Sequence, residues 1–513
     1  MGSVSENEPD NISEYVDILT FCGLVLSYSS VWNFPAETMA NGGAFFVIIY
    51  LLATFTCLFP ILHLELFVGQ RHQSGVCRVY RSYGRAYEGF GAAVCILTFL
   101  TSQYSMMDSY ATVVHFGILS FHNEPKDLVS CSSKRYSGAT SCVSLLEHTE
   151  CQRSVEIVSG RRLTSHYYTY DYRSELCTDV RYGDYSPYNV SLYQHKSRFF
   201  DSVSEIYLKF IREGNSRNIY VQRLWIYLPL FCMFAILCLL RVTDVRRLIA
   251  VIYVMFAVSF ISSVVAFVTL TEFGTVTSIL WSASTPESLL ILKTYARAVR
   301  LAFNSGGLAV CGVMSAASFR SKSKNSYRLA TIMVFSNIAT SFLSLLATLS
   351  ICGTLADNSY QRTFSPRRNP NIFVIGMVTE AVITKTNNTF WVVVFTFAYL
   401  ITKITPFFAP IMVAAAITRD LCYSSHRWSR RVGVMGSVCI IGFVVSVFRS
   451  IVPAKVYVNQ LLPDVQSTYE VVIPIAMLVI FIVIYGRFFS RQVTNSVVIT
   501  KYISFVYKNL INR

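Results

Sequence analysis

Charge is scarce in this chain. Of its 513 residues only 14% are Asp, Glu, Lys or Arg, whereas 53% are hydrophobic and 14% aromatic, and mean hydropathy is +0.46. One soluble core cannot hide that much apolar surface, so the composition excludes an ordinary soluble domain and implies a polytopic membrane protein. Acid is scarcer than base, 29 residues against 44. The bases fall largely in short loops between apolar runs, where they read as a topology signal and not as a nucleic-acid surface. Residues 1–17 are polar and acidic and lack the basic flank and small-residue site of a removable leader. Gly2 resembles a myristoylation start, but Glu6 stands where that motif needs Ser or Thr. No CxxC, no clustered His and no nucleophile–base pair accompany the spans, so neither a metal centre nor an enzyme is expected.

What the chain does have is apolar runs, and one of them is interrupted. Thr20 to Tyr50 carries Ser27, Tyr28, Ser29 and Ser30 in its middle, followed at once by Trp32, Asn33, Phe34 and Pro35. In lipid, unpaired backbone is tolerated only where it is buried in protein or lines a cavity. The stretch is either a kinked span whose serines bond back to their own helix, or a discontinuous helix that builds a midplane site. A second interruption, Asn304-Ser305-Gly306-Gly307, breaks the sixth apolar run, so each broken run opens a set of five. Two broken helices at matching places in two halves favour an inverted-repeat transporter.

About ten runs are long enough to cross hydrocarbon. They lie near 18–40, 44–69, 89–119, 221–241, 247–271, 295–319, 329–354, 389–417, 433–452 and 466–486. Loops carrying Arg71, Arg78, Arg81 and Arg85, then Arg246 and Arg247, then Arg320, Lys322, Lys324 and Arg328, then Arg427, Arg430 and Arg431, all fall on one side. That asymmetry places both termini in the cytoplasm. The organisation expected is a tail at 1–17, a first repeat at 18–271 with an outer loop at 121–218, a second repeat at 272–488 with an outer loop at 355–388, and a tail at 489–513. The loop 121–218 holds Cys131, Cys142, Cys151 and Cys177, which allow three pairings, Cys131 with Cys142 being the nearest couple. It also holds the glycosylation acceptor Asn189.

Trp32, Phe34-Pro35, Asn41-Gly42-Gly43, Tyr50 and the run from Pro60 through Glu65 to Gln70 resemble the first two spans of the neurotransmitter:sodium symporters, solute carrier family six. Echoes continue at Gln103-Tyr104, Phe303 to Gly307, Asn337 to Ser341, Glu380-Ala381, and Tyr457 with Gln460. The resemblance implies an all-α, LeuT-like five-plus-five inverted repeat with the first and sixth helices discontinuous. After Gly486-Arg487 no segment resembles the family's last two helices, which are expected to be missing. The resemblance implies a plasma-membrane symporter working by alternating access on a small amino-acid-like or neurotransmitter-like solute with sodium, and with chloride as a further candidate. A non-transporting receptor, scaffold or trafficking partner is the alternative. A homo-oligomer stays open.

Carried over residue by residue, the resemblance puts the solute against Ser27, Tyr28, Ser29, Tyr104, Phe303 and Ser305. The first sodium falls to Val25, Ser30, Asn304 and Asn337, and chloride to Tyr50 and Ser341. The second sodium falls to Gly23, Leu26, Thr402 and Thr405, but the neighbouring family serine is Pro406, and Lys403 intrudes. That lysine either replaces the ion or snorkels to the cytoplasmic interface. At the outer gate the family's arginine is Asn33, and its aspartate is Pro463 with Asp464 beside it. Arg300 either takes the cationic half of this gate, against Asp464 or Asp108, or faces a wet vestibule. Ser27 stands where amine carriers have an aspartate, which argues against a monoamine. Glu65 is expected to bond the broken helices.

Overall fold

The computed structural model describes residues 13–121, 128–130, 142–143, 168–171, 176–179, 201–202, 242–270, 273–307, 311–356 and 376–421; between 100 and 111 it describes the backbone alone. The expected runs at 221–241, 433–452 and 466–486, and the sites Cys131, Asn189 and Asp464, lie outside these residues.

The first apolar run is two half-helices. α1 (Glu14–Val25) is started by the Ser13 hydroxyl, which accepts from the Val16 N–H, and carries Glu14 and Asp17 in the first turn where the helix dipole favours acid. It begins within the expected tail. Leu26 is extended, the chain re-enters a π-helical turn at Ser29–Asn33, and α2 (Phe34–Ala40) continues with Pro35 in its first turn, where a missing N–H costs nothing. The two halves are bent by 62°. The next run, Ala44–His72, is α3 (Ala44–Ala53), a π-helical turn at Thr54–Leu58, and α4 (Phe59–His72). Pro60 has no N–H to give that turn, which accounts for the π-bulge just before it.

The glycines between α2 and α3 are required by a close approach. Gly42 and Gly43 have φ of 114° and 57°. A Cβ on Gly42 would lie 2.3 Å from Ser288 Oγ, and one on Gly43 would lie 2.5 Å from Ser284 Oγ. The Asn41-Gly42-Gly43 turn therefore docks on the loop leading into the second broken helix. Asn41 Oδ1 also accepts a hydrogen bond from Arg297.

Beyond a short amphipathic α5 (Val76–Tyr83) runs the 37-residue α6 (Arg85–Phe121). Residues 142–202 supply β1 (Cys142–Val143) parallel to β4 (Asp201–Ser202), and β2 (Tyr168–Asp171) antiparallel to β3 (Leu176–Asp179). Among the described residues these short pairs depart from an all-helical expectation, and they lie within the polar segment 121–218. After these come α7 (Val242–Thr269), which falls at the end of the expected first repeat, and then α8 (Phe273–Ser282), α9 (Leu292–Ser305), α10 (Gly312–Ala317), α11 (Ser326–Ala356), α12 (Val378–Thr386), α13 (Phe390–Ile404) and α14 (Phe408–Leu421). α9 and α10 are the two halves of the expected sixth span; Gly306 caps the first, Cys311 precedes the second, and Gly307 and Cys311 both have positive φ.

Among the described residues four runs are long and apolar enough to cross a membrane, Ala44–His72, Val242–Thr269, Ser326–Thr354 and Phe390–Asp420, or five if the bent first pair counts as one. α1 packs along α7 and α11, α9 on α3, and α13 against α7 and α6. The consequence is that the first break faces both α11 and α13, while Ser305, at the end of α9, meets α11 at Asn337.

Candidate functional site

The breaks bring a cluster of hydroxyl, amide and carbonyl oxygens together. Ser27 caps the second half of the first helix, its Oγ accepting from the Ser30 N–H at 3.3 Å, and it donates to the Ser305 carbonyl at 3.1 Å. Ser30, fully buried, lies 3.2 Å from Ser27 Oγ, 3.3 Å from the same carbonyl, and in hydrogen-bond contact with Asn337 Oδ1. Asn337 donates through Nδ2 to Ser305 Oγ at 2.9 Å. Ser305 Oγ is in turn 3.0 Å from Tyr50 OH, which lies 3.3 Å from Ser341 Oγ. Side chains from α1–α2, α3, α9 and α11 thus share one polar knot inside an apolar bundle.

Most of the expected first-ion and chloride residues are in this knot. The hydroxyl at its centre is that of Ser305, one position after the expected ligand Asn304, which is half-buried. A shift of one residue turns a helix by about 100°, from its 3.6 residues per turn, so the two cannot point alike. The signal was present in the sequence, since Ser305 was already a solute candidate beside the glycines. The three hydroxyls of Tyr50, Ser305 and Ser341, with no carboxylate among them, form a donor set that suits a halide. The oxygens of Ser27, Ser30, Ser305 and Asn337 suit a hard monovalent cation.

Around the knot, Phe34 lies on Tyr50 with ring centroids 4.5 Å apart, and Trp32 and Phe303 are buried. Ser344 on α11 donates to the Val31 carbonyl, which ties the π-helical turn in place. The side chain of Tyr104 lies outside the described residues, although its backbone is within α6. Glu65 departs from expectation: both carboxylate oxygens are buried and, among the described residues, neither has a hydrogen-bond partner. Near the start of α9, Arg300 is exposed, and its two candidate acids lie outside the described side chains, while Asn33 Nδ2 donates to Ser29 Oγ at 3.1 Å. The cation that contacts the first-helix segment here is Arg297, through Asn41.

At the second expected ion position, Thr405 Oγ1 lies 3.0 Å from the Leu26 carbonyl and 3.2 Å from that of Thr402. Lys403 is buried, with Nζ 3.4 Å from the ring centroid of Tyr28 and 5.4 Å from that of Tyr399.

One cluster had not been anticipated. Asp17, fully buried at the start of α1, receives Arg246, Arg320 at 2.8 Å and Lys324 at 3.4 Å. Gln70 at the end of α4 is 3.4 Å from Arg320 and donates to the carbonyls of Ser321 and Lys324. The signal would have been an acid at the mouth of a span, facing three bases from two basic segments. Beside it a cavity of about 250 Å³ is lined by Glu14, Ile18, Arg320, Lys324, Arg328 and Ile332, among others.

A family model for the sodium:neurotransmitter symporter family matches residues 11–510. The chain is similar to sodium- and chloride-dependent glycine transporter 2 of Xenopus laevis, 23% identical over 89% of this chain and 56% of that one. It is also similar to sodium-dependent neutral amino acid transporter B(0)AT1 of Rattus norvegicus, 32% identical over 22% of this chain and 17% of the other. With sodium- and chloride-dependent GABA transporter 2 of Bos taurus it shares 32% identity over 21% and 18% respectively. The chain thus aligns with little more than half the length of the first of these and under a fifth of the others.

Proposed function

The chain belongs to the sodium:neurotransmitter symporter family, and from that premise we propose that it is a secondary active transporter carrying a small amino acid with sodium across the plasma membrane. The observation that carries this reading is the oxygen knot of Ser27, Ser30, Ser305 and Asn337 lying between two helix breaks. Sodium, the co-transported ion, is held by these oxygens with the Val25 carbonyl. The start of the Ser29–Ala40 half-helix presents free N–H groups and the positive end of its dipole to the solute carboxylate. The relatives named above carry neutral amino acids, glycine and GABA by their names. All are small zwitterions or neutral-chain acids, and Ser27 offers no charge to a monoamine.

Chloride is held by Tyr50, Ser305 and Ser341, so one hydroxyl, Ser305, touches both ion positions. That shared contact couples the ions. Alternating access then follows from α1–α2 and α9–α10 hinging at their breaks against α11 and α13. Both termini are cytoplasmic, the loop 121–218 is extracellular, with Asn189 glycosylated and Cys131 bonded to Cys142. The test is uptake of labelled neutral amino acids by the surface-expressed full chain, in sodium and in choline. Sodium-dependent uptake of at least one is expected. A surface-localised protein that takes up none of them would overturn the reading.

A further inference from the structure

The second sodium position that the family resemblance implies does not fit the residues this chain places there. A cation at that position needs oxygens from the first helix and from α13. Pro406 offers no side-chain oxygen. The Thr405 hydroxyl, instead of standing open, is within hydrogen-bond distance of both the Leu26 and Thr402 carbonyls and can donate to either. In the same junction lies a cation of the chain's own. Lys403 is 2% exposed, so it does not snorkel to the interface. Its ammonium lies 3.4 Å above Tyr28, inside the break of the first helix, and 5.4 Å from Tyr399, one helical turn back on α13. The two rings meet edge-on, with centroids 5.8 Å apart. An ammonium against aromatic faces in a desolvated site is held by the rings' negative faces.

We propose that Lys403 is a built-in cation that takes the place of the second sodium, joining the broken first helix to α13 so that the transporter cycles with one bound sodium. The proposal rests on the sodium-coupled transport put forward above. The two elements it bridges, Tyr28 with Leu26 and α13 with Thr405, are the ones a sodium there would bridge. The ammonium is tethered, so it supplies the positive charge at all times and cannot be released with the solute. One ion fewer then drives each cycle.

Binding of ²²Na⁺ to the purified full chain in nanodiscs decides it. One sodium per chain, abolished by Asn337→Ala, is expected. Lys403→Ala opens space beside oxygens that remain, so the Lys403→Ala/Asn337→Ala double variant is expected to bind one sodium that Asn337→Ala alone does not. Two sodium ions on the unmodified chain, or one that survives Asn337→Ala, overturn the proposal without help from any lysine variant that fails to fold. If the unmodified chain binds none, the first-site coupling fails, and the double variant still judges the lysine: a bound sodium supports its role, and no sodium overturns it.

Discussion

Asn337 is the side chain on which the knot turns, because its oxygen accepts from Ser30 while its amide donates to Ser305. Asn337→Ala leaves two buried hydroxyls short of a partner. In a membrane bundle such interhelical bonds are worth about 0.6 kcal/mol on average and up to about 1.7. The fold should survive, but a cation ligand is lost. A tenfold or larger rise in the sodium concentration for half-maximal uptake is expected, since about 1.4 kcal/mol is worth a factor of ten. Unchanged sodium dependence in a well-expressed variant would remove Asn337 from the site. Cys77, in the amphipathic α5 outside the spans, offers a second test. A hydrogen bond with the Cys95 thiol, at an Sγ–Sγ distance of 4.0 Å, draws the Cys77 thiol down to about 7 from the ordinary thiol range. Deprotonation makes the nucleophile, so alkylation of Cys77 should rise steeply through neutral pH, and Cys95→Ala should move that rise to higher pH. Mass spectrometry of the Cys77 peptide reads both.

At the scale of elements, the Asn41-Gly42-Gly43 turn shows what a sequence can and cannot announce. The motif was legible as a family mark, and the structure supplies its reason: positive φ and backbone pressed against Ser284 and Ser288. Gly43→Ala would put a methyl 2.9 Å from the Leu280 carbonyl. A destabilisation of about 1–3 kcal/mol is expected from forcing a side chain into packed space, on top of the strained φ. A thermal-shift measurement in detergent that found no loss would show that the α8–α9 loop yields. The two breaks were legible too, since serine and glycine clusters inside apolar runs contradict an unbroken helix in lipid. Their limits were not. The second pair of half-helices ends at the Gly306 cap and starts again after Cys311, because hydrogen-bonded helix ends depend on neighbours and not on local residue type alone. That the hydroxyl one position after Asn304 enters the knot is a matter of helix register, which changes by about 100° per residue and which motif matching across a weak echo does not fix. Lys403 was visible as an anomaly, but its direction, toward Tyr28, is a rotamer that no spacing encodes.

For the molecule as a whole, the knot between the breaks and the charge cluster at the foot of α1 must act together. Asp17 is held by Arg246 from α7, and by Arg320 and Lys324 from the segment joining α10 to α11. The first half of the broken helix is thereby tied both to α7 and to the segment before α11, and the cluster lies at the end proposed above to be cytoplasmic. Buried ion pairs contribute little net stability, but removing one partner leaves cations stranded, at about 3–5 kcal/mol. Here the stranded groups have an escape, because α1 can move outward and let water reach Arg320 and Lys324. Asp17→Asn should therefore shift the population toward an inward-open state more than it unfolds the chain. Cys22, on α1 and 4% exposed, reports this directly. Several-fold faster maleimide labelling of the Cys22 peptide is expected in Asp17→Asn. Sodium should slow it again, because an ion bound to Ser30 and Asn337 draws the two halves of the first helix against α11. If Cys22 stays protected in the variant, or if sodium leaves its labelling unchanged, the charge cluster and the ion knot are not ends of one moving lever.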